Sequence, residues 1–92
     1  PLVAKITTTF EQGQEYVEGV QINAIITVPT KQLITNEIPH STDSDLEYLK
    51  QGKFEYDGFS YLVAKVHPKT LVADIWQMYD FYCFVDKKSS LR

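Results

Sequence analysis

The chain is short of nearly everything that signals chemistry. It has 92 residues and a single cysteine, Cys83, so no intrachain disulfide can form. That cysteine stands in a strongly apolar run, which reads as a buried structural thiol rather than a reactive one. A cytoplasmic or assembled-particle setting fits this better than a secreted disulfide scaffold. The apolar runs are too short for a membrane span, and the first residues lack the basic and long apolar regions of a signal peptide. There is no excess of basic charge: the net charge of −3 argues against a dedicated duplex-DNA binder, which normally carries a basic face. Repeats, low-complexity tracts and linkers are absent. What remains is a chain hydrophobic enough to fold, and long enough for one small domain.

Histidine is also scarce. His40 and His67 are the only two, each beside a proline and far from Cys83, and they read as exposed loop residues. A zinc site needs three or four converging ligands, and this spacing supplies none. Thr42-Asp43-Ser44-Asp45 looks like the start of a calcium loop but lacks the required glycine and distal glutamate. Negative charge at a helix N-terminus explains the same residues. Pro1-Leu2-Val3 superficially resembles the opening of tautomerases that use an N-terminal proline amine as base. Those enzymes continue into a long amphipathic helix, whereas Thr7 to Val28 shows strand alternation. No nucleophile elbow, phosphate loop or carboxylate pair is recognisable. The expectation is a non-enzyme without cofactor, metal or small-molecule substrate.

The sequence is rich in aromatics, and ten of its twelve lie between Tyr48 and Phe84. They centre on Phe54-Glu55-Tyr56-Asp57-Gly58-Phe59-Ser60-Tyr61, where Asp57-Gly58 suits the positive φ angles of a two-residue type I′ turn. With that turn, Tyr56 pairs with Phe59 and Phe54 with Tyr61, so four rings share one face as a packed cluster. Glu55 and Ser60 share the other face.

Along the rest of the chain, Val3 to Phe10 reads as a first strand, and Glu11-Gln12-Gly13-Gln14 as a turn. A second strand begins at Glu15 and is interrupted or bulged at Gly19. Val20, Ile22, Ala24, Ile26 and Val28 alternate with polar positions and Ile25, and Pro29 closes that strand. Thr30 to Thr42 reads as a long loop. Ser44 and Glu47 fit a capping box for a short helix, with Leu46 and Leu49 on one side and Gly52 as its stop.

The second hairpin strand runs to about His67, with a bulge near Ala64-Lys65, and Pro68 ends it. Val72 to Trp76 is either a helical turn or a packed loop. The last strand, about Met78 to Val85, places Tyr79, Phe81, Cys83 and Val85 on one face. Tyr82 and Phe84 then face outward, as Ile25 does on its own strand. The predicted fold class is mainly β: a small antiparallel β-barrel, SH3- or OB-like, with a long loop and one short helix. Residues 1–86 form the domain and residues 87–92 a flexible basic tail.

Two blocks carry a family resemblance. One is Tyr16-Val17-Glu18-Gly19 leading into the strand Ile22 to Val28, then Pro29-Thr30-Lys31-Gln32-Leu33. The other is Phe54-Glu55-Tyr56-Asp57-Gly58-Phe59-Ser60-Tyr61-Leu62-Val63-Ala64-Lys65-Val66, followed by Trp76 and Tyr79-Asp80-Phe81-Tyr82. Together they resemble the head–tail connector proteins of tailed phages, of the stopper or head-completion type. The second block is similar to that family's hydrophobic-x-Tyr-Asp-Gly-x-x-Tyr-x-Val-x-x-Val hairpin. The resemblance implies a viral structural protein that assembles as a ring with other neck or tail proteins. Its place is the virion, after assembly in the host cytoplasm. It also implies a loop close to DNA in the channel, here 30–43, with Lys31, Gln32, Asn36 and His40 as candidate channel residues. Outward apolar side chains mark Ile25, Tyr82, Phe84 and Trp76 as candidate protein-contact residues. The alternative is a monomeric SH3- or OB-like module that binds peptide or single-stranded nucleic acid through exposed rings.

Overall fold

A computed structural model describes residues 3–8, 15–17 and 19–86. The expected turn at Glu11 to Gln14, the end of the first strand at Phe10, the N-terminal proline and the 87–92 tail lie outside the described residues. The protein is mainly β, with one curled antiparallel sheet forming a half-barrel and two short helices. The main sheet runs β1 (Lys5–Thr8), β4 (Ala24–Pro29), β7 (Ile75–Val85), β6 (Phe59–Val72), β5 (Lys53–Tyr56) in spatial order. A separate two-stranded ribbon joins β2 (Glu15–Val17) to β3 (Val20–Ile22). The sheet curls but does not close, so the expected barrel is open.

Alternation places the core. Ala24, Ile26 and Val28 of β4 are buried, as are Tyr79, Phe81 and Cys83 of β7 and Tyr61, Val63 and Val66 of β6. The bulge expected near Ala64-Lys65 occurs as a register shift between Val63 and Lys65, and it returns Val66 to the inner face. Between β3 and β4 the chain bends at Asn23 without losing parity. Asn23 N donates to the Cys83 carbonyl (2.9 Å), and its side-chain Oδ1 accepts from Val85 N (2.8 Å). An amide side chain thus stands in for a rung of the ladder.

Several expectations need correction. At Gly19 (φ +83) the strand is interrupted, as one of the two readings has it, and not bulged, because Val17 pairs with Val20 across it. Residues 30–35 are not a loop but helix α1 (Thr30–Thr35), with Leu33 fully buried. Pro29 presets the extended entry (φ −61, ψ 141), and Thr30 Oγ1 donates to the Trp76 carbonyl at 2.6 Å, tying the first turn to β7. α1 ends in a Schellman motif: Ile38 N donates to Leu33 O (2.8 Å) and Glu37 N to Ile34 O (3.0 Å). Glu37 takes the left-handed position usually held by glycine (φ +58).

Helix α2 (Asp43–Leu49) is capped two residues earlier than expected. Thr42, not Ser44, is the N-cap: its hydroxyl accepts from Asp45 N (3.1 Å), and Asp45 Oδ2 accepts from Thr42 N (3.2 Å). Asp45 also accepts from Ser41 N (3.0 Å), which fixes the choice of box.

Pro68 does not end β6. The strand continues to Val72 because β5 covers β6 only from Phe59 to Leu62. Beyond that span Pro68 has a ladder partner only on the β7 side, and an edge tolerates its missing N–H. Residues 72–76 are neither a helical turn nor a packed loop. Val72 pairs with Ile75 across a two-residue turn, Ala73 (φ +50) and Asp74 (φ +65).

Candidate functional site

The Asp57-Gly58 turn forms as expected, with φ +54 and +82, and with Tyr56 opposite Phe59 and Phe54 opposite Tyr61. Only half of the ring cluster is packed. Tyr61 is buried and Phe54 meets Phe81 edge-on at 5.2 Å, whereas Tyr56 and Phe59 are exposed at the hairpin end. Phe59 still meets Tyr61 at a tilted 6.4 Å, so the cluster thins toward the turn rather than ending sharply.

All four expected contact residues take outer-face positions, three of them in the middle of the sheet and Trp76 toward the hairpin tip. Ile25 stands directly opposite Tyr82, and Phe84 stands opposite Leu62. All of these side chains are half-buried rather than freely exposed. The same face carries a polar row across four strands: Lys5, Thr27, Asp80 and His67 are successive cross-strand partners. Asp80 is buried there, accepts from Thr27 Oγ1 at 2.7 Å, and lies 3.6 Å from Lys69 Nζ. His67 is therefore an exposed strand residue, not a loop residue.

Trp76 stands apart from the other three. It lies at the tip of the β6–β7 hairpin, six positions from Tyr82, or about 20 Å along an extended strand. Around it Leu71, Val72 and Ile75 are each more than half exposed, and Trp76 is 39% exposed. Leu71 faces Trp76 across the ladder and Val72 faces Ile75, so both faces of the tip are apolar. The tip is hard to read from sequence because Ala73, at φ +50, holds a position that favours glycine or asparagine, and Asp74 alone is a weak turn signal.

The candidate channel residues do not project together from a loop. Lys31 is exposed on α1, while Gln32 is half-buried there and its Oε1 accepts from Val3 N (3.2 Å). Asn36 caps the helix, its Nδ2 donating to the Gln32 carbonyl at 2.8 Å. His40 is half-buried, donates from Nδ1 to the Ile38 carbonyl (2.7 Å), and packs edge-on against Tyr79 at 5.6 Å.

The open side of the half-barrel holds a cavity of about 540 Å³ lined by Leu33, Ile38, Leu49, Phe54, Val63 and Phe81, with Gly52, Lys53 and Glu55 also on its lining. No sequence signal marked it, since it forms where α1, α2 and the sheet approach without closing. The raised titrations belong to buried groups of the core that are not on the cavity lining. Burial pushes the Cys83 thiol up to about 12, and burial likewise raises Tyr79 and, with a smaller push from Asp57, Tyr61. Such a thiol is protonated at neutral pH and is a poor nucleophile. Among the described residues no group of three His, Cys, Asp or Glu converges as a metal site. Scans against family models, curated proteins and solved structures each gave no match.

Proposed function

We propose that this chain is a structural assembly protein of a tailed-phage or prophage neck, joining the DNA-filled head to the tail as part of a ring. The observation that carries the assembly part is the β6–β7 tip, apolar on both faces and exposed. Contiguous apolar surface of this kind marks a protein contact. The neck assignment is supported by the Tyr-Asp-Gly hairpin and the strand ending at Pro29, and by a mainly β, curled half-barrel sheet, which suits the small β-barrel that the resemblance implies. Its partners are further copies and other neck or tail proteins, and its place is the virion after assembly in the host cytoplasm. A role beside channel DNA falls to exposed Lys31 and Asn36 on α1 and its cap rather than to a long free loop.

The second reading is a monomeric module for single-stranded nucleic acid. It is favoured by Lys5, Lys65, His67 and Lys69 on the outer face, where Lys65 stands opposite half-buried Tyr82 and Lys69 pairs with Asp80. Sedimentation of the purified chain, alone and with portal and tail proteins of one particle, separates the two. Multimers or incorporation into the neck complex support assembly. Persistent monomers together with oligonucleotide binding that weakens steeply between about 50 and 200 mM salt overturn it.

A further inference from the structure

We propose that the apolar tip of the β6–β7 hairpin seats in the half-barrel cavity of a second copy of this chain. The contact specifies the self-association in the assembly reading and rests on that part of it, not on the neck assignment. Leu71 and Trp76 lie on one face of the tip and Val72 and Ile75 on the other. A flat partner surface buries only one of those faces; a cavity buries both. The same chain supplies such a cavity, about 540 Å³, within the range of ordinary binding pockets, and its wall is mostly apolar.

The tip cannot fill its own cavity. Trp76 lies five positions before Phe81 of the cavity wall, about 17 Å along a continuous strand. A knob and a hole on separate parts of one chain give a heterologous, head-to-tail contact, the type that builds rings when the rotation closes. The mouth carries both signs, Lys53 and Glu55 paired at 3.6 Å, so Asp74 of the tip turn meets no net opposing charge there. Pairing through the open edge of β6 is the weaker route to a second copy. The bulge at Val63/Lys65, the charged Lys65, Pro68 and left-handed Thr70 (φ +62) all obstruct a continuing ladder there.

Native mass spectrometry of mixed variants tests the contact. The wild-type chain is expected to associate. Ile75→Asp with Trp76→Asp at the tip, or Leu49→Glu at the mouth, is expected to weaken association about tenfold or more. An equal mixture of tip and mouth variants should recover a one-to-one dimer, since one intact tip then meets one intact mouth. Because Leu49 is half-buried, a second pair uses exposed positions only: Ile75→Cys in one chain and Lys53→Cys in another. On mild oxidation these should give the mixed disulfide in excess over either homodimer, with buried Cys83 silent. Association that survives both tip substitutions overturns the contact while leaving self-assembly intact. A wild-type chain that remains monomeric overturns the contact and the self-association together, and the neck assignment then depends on other proteins. A monomer carrying a small apolar molecule assigns the cavity to a ligand and also overturns the contact.

Discussion

Glu37 holds a left-handed backbone, φ +58, at the end of α1, where a side chain bearing Cβ is strained by about 1–2 kcal/mol. Glu37→Gly removes that strain, offset by the greater freedom of glycine in the unfolded chain, and should stabilise the fold by up to about 1 kcal/mol. Urea unfolding checks it; a destabilised variant would contradict the Schellman geometry. Cys83 makes a second claim at this scale. Its thiol is shifted from 9.0 up to about 12 by burial, and Tyr61 and Tyr79 are raised in the same direction. The folded chain therefore keeps protons that the unfolded chain releases first. That contribution is fully present below about pH 9 and is lost as pH rises toward about 12. Urea midpoints should show no loss from these groups up to about pH 8.5 and a decline above it. In Cys83→Ala the decline should be shallower. An equal slope in that variant would mean that Cys83 does not contribute.

At the scale of elements, α1 separates a packed helix from a free loop. Leu33 is its one fully buried side chain, so Leu33→Ala should cost about 2–5 kcal/mol, whereas truncating a mobile loop residue costs almost nothing. Asn23 makes a similar test of the β3–β4 bend. Asn23→Ala leaves the Val85 N–H without its acceptor and should cost about 1–3 kcal/mol, and Asn23→Asp should recover part of the loss. Denaturant unfolding reads both.

What the sequence revealed depended on how many residues signalled each element. β4 was legible because its three inward positions, Ala24, Ile26 and Val28, alternate without a break, and the Asp57-Gly58 hairpin because its turn needs those residue types. The bulge showed as a single break in parity before Val66. α1 was hidden, since six residues with one buried position carry no period. The Ala73-Asp74 turn was hidden too: alanine is a poor residue for φ +50, and the pairing of Val72 with Ile75 in the long β6–β7 ladder holds it there. The four-ring cluster was overread, because pairing fixes which residues share a face and not how far the core extends beneath them.

At the scale of the molecule, the inner face is a packed core, yet the half-barrel stays open and the longest hairpin ends in exposed apolar side chains. Alternation puts Ile25, Tyr82 and Phe84 on the outer face, where they are half-buried, and Trp76 at the same parity beside Leu71 near the exposed tip. Native mass spectrometry of the chain over a range of concentrations, alone and with portal and tail proteins, addresses the assembly role most directly. The expected result is a set of discrete multiples of 10.6 kDa, or stoichiometric uptake into the neck complex. A single 10.6 kDa species under every one of those conditions would contradict it.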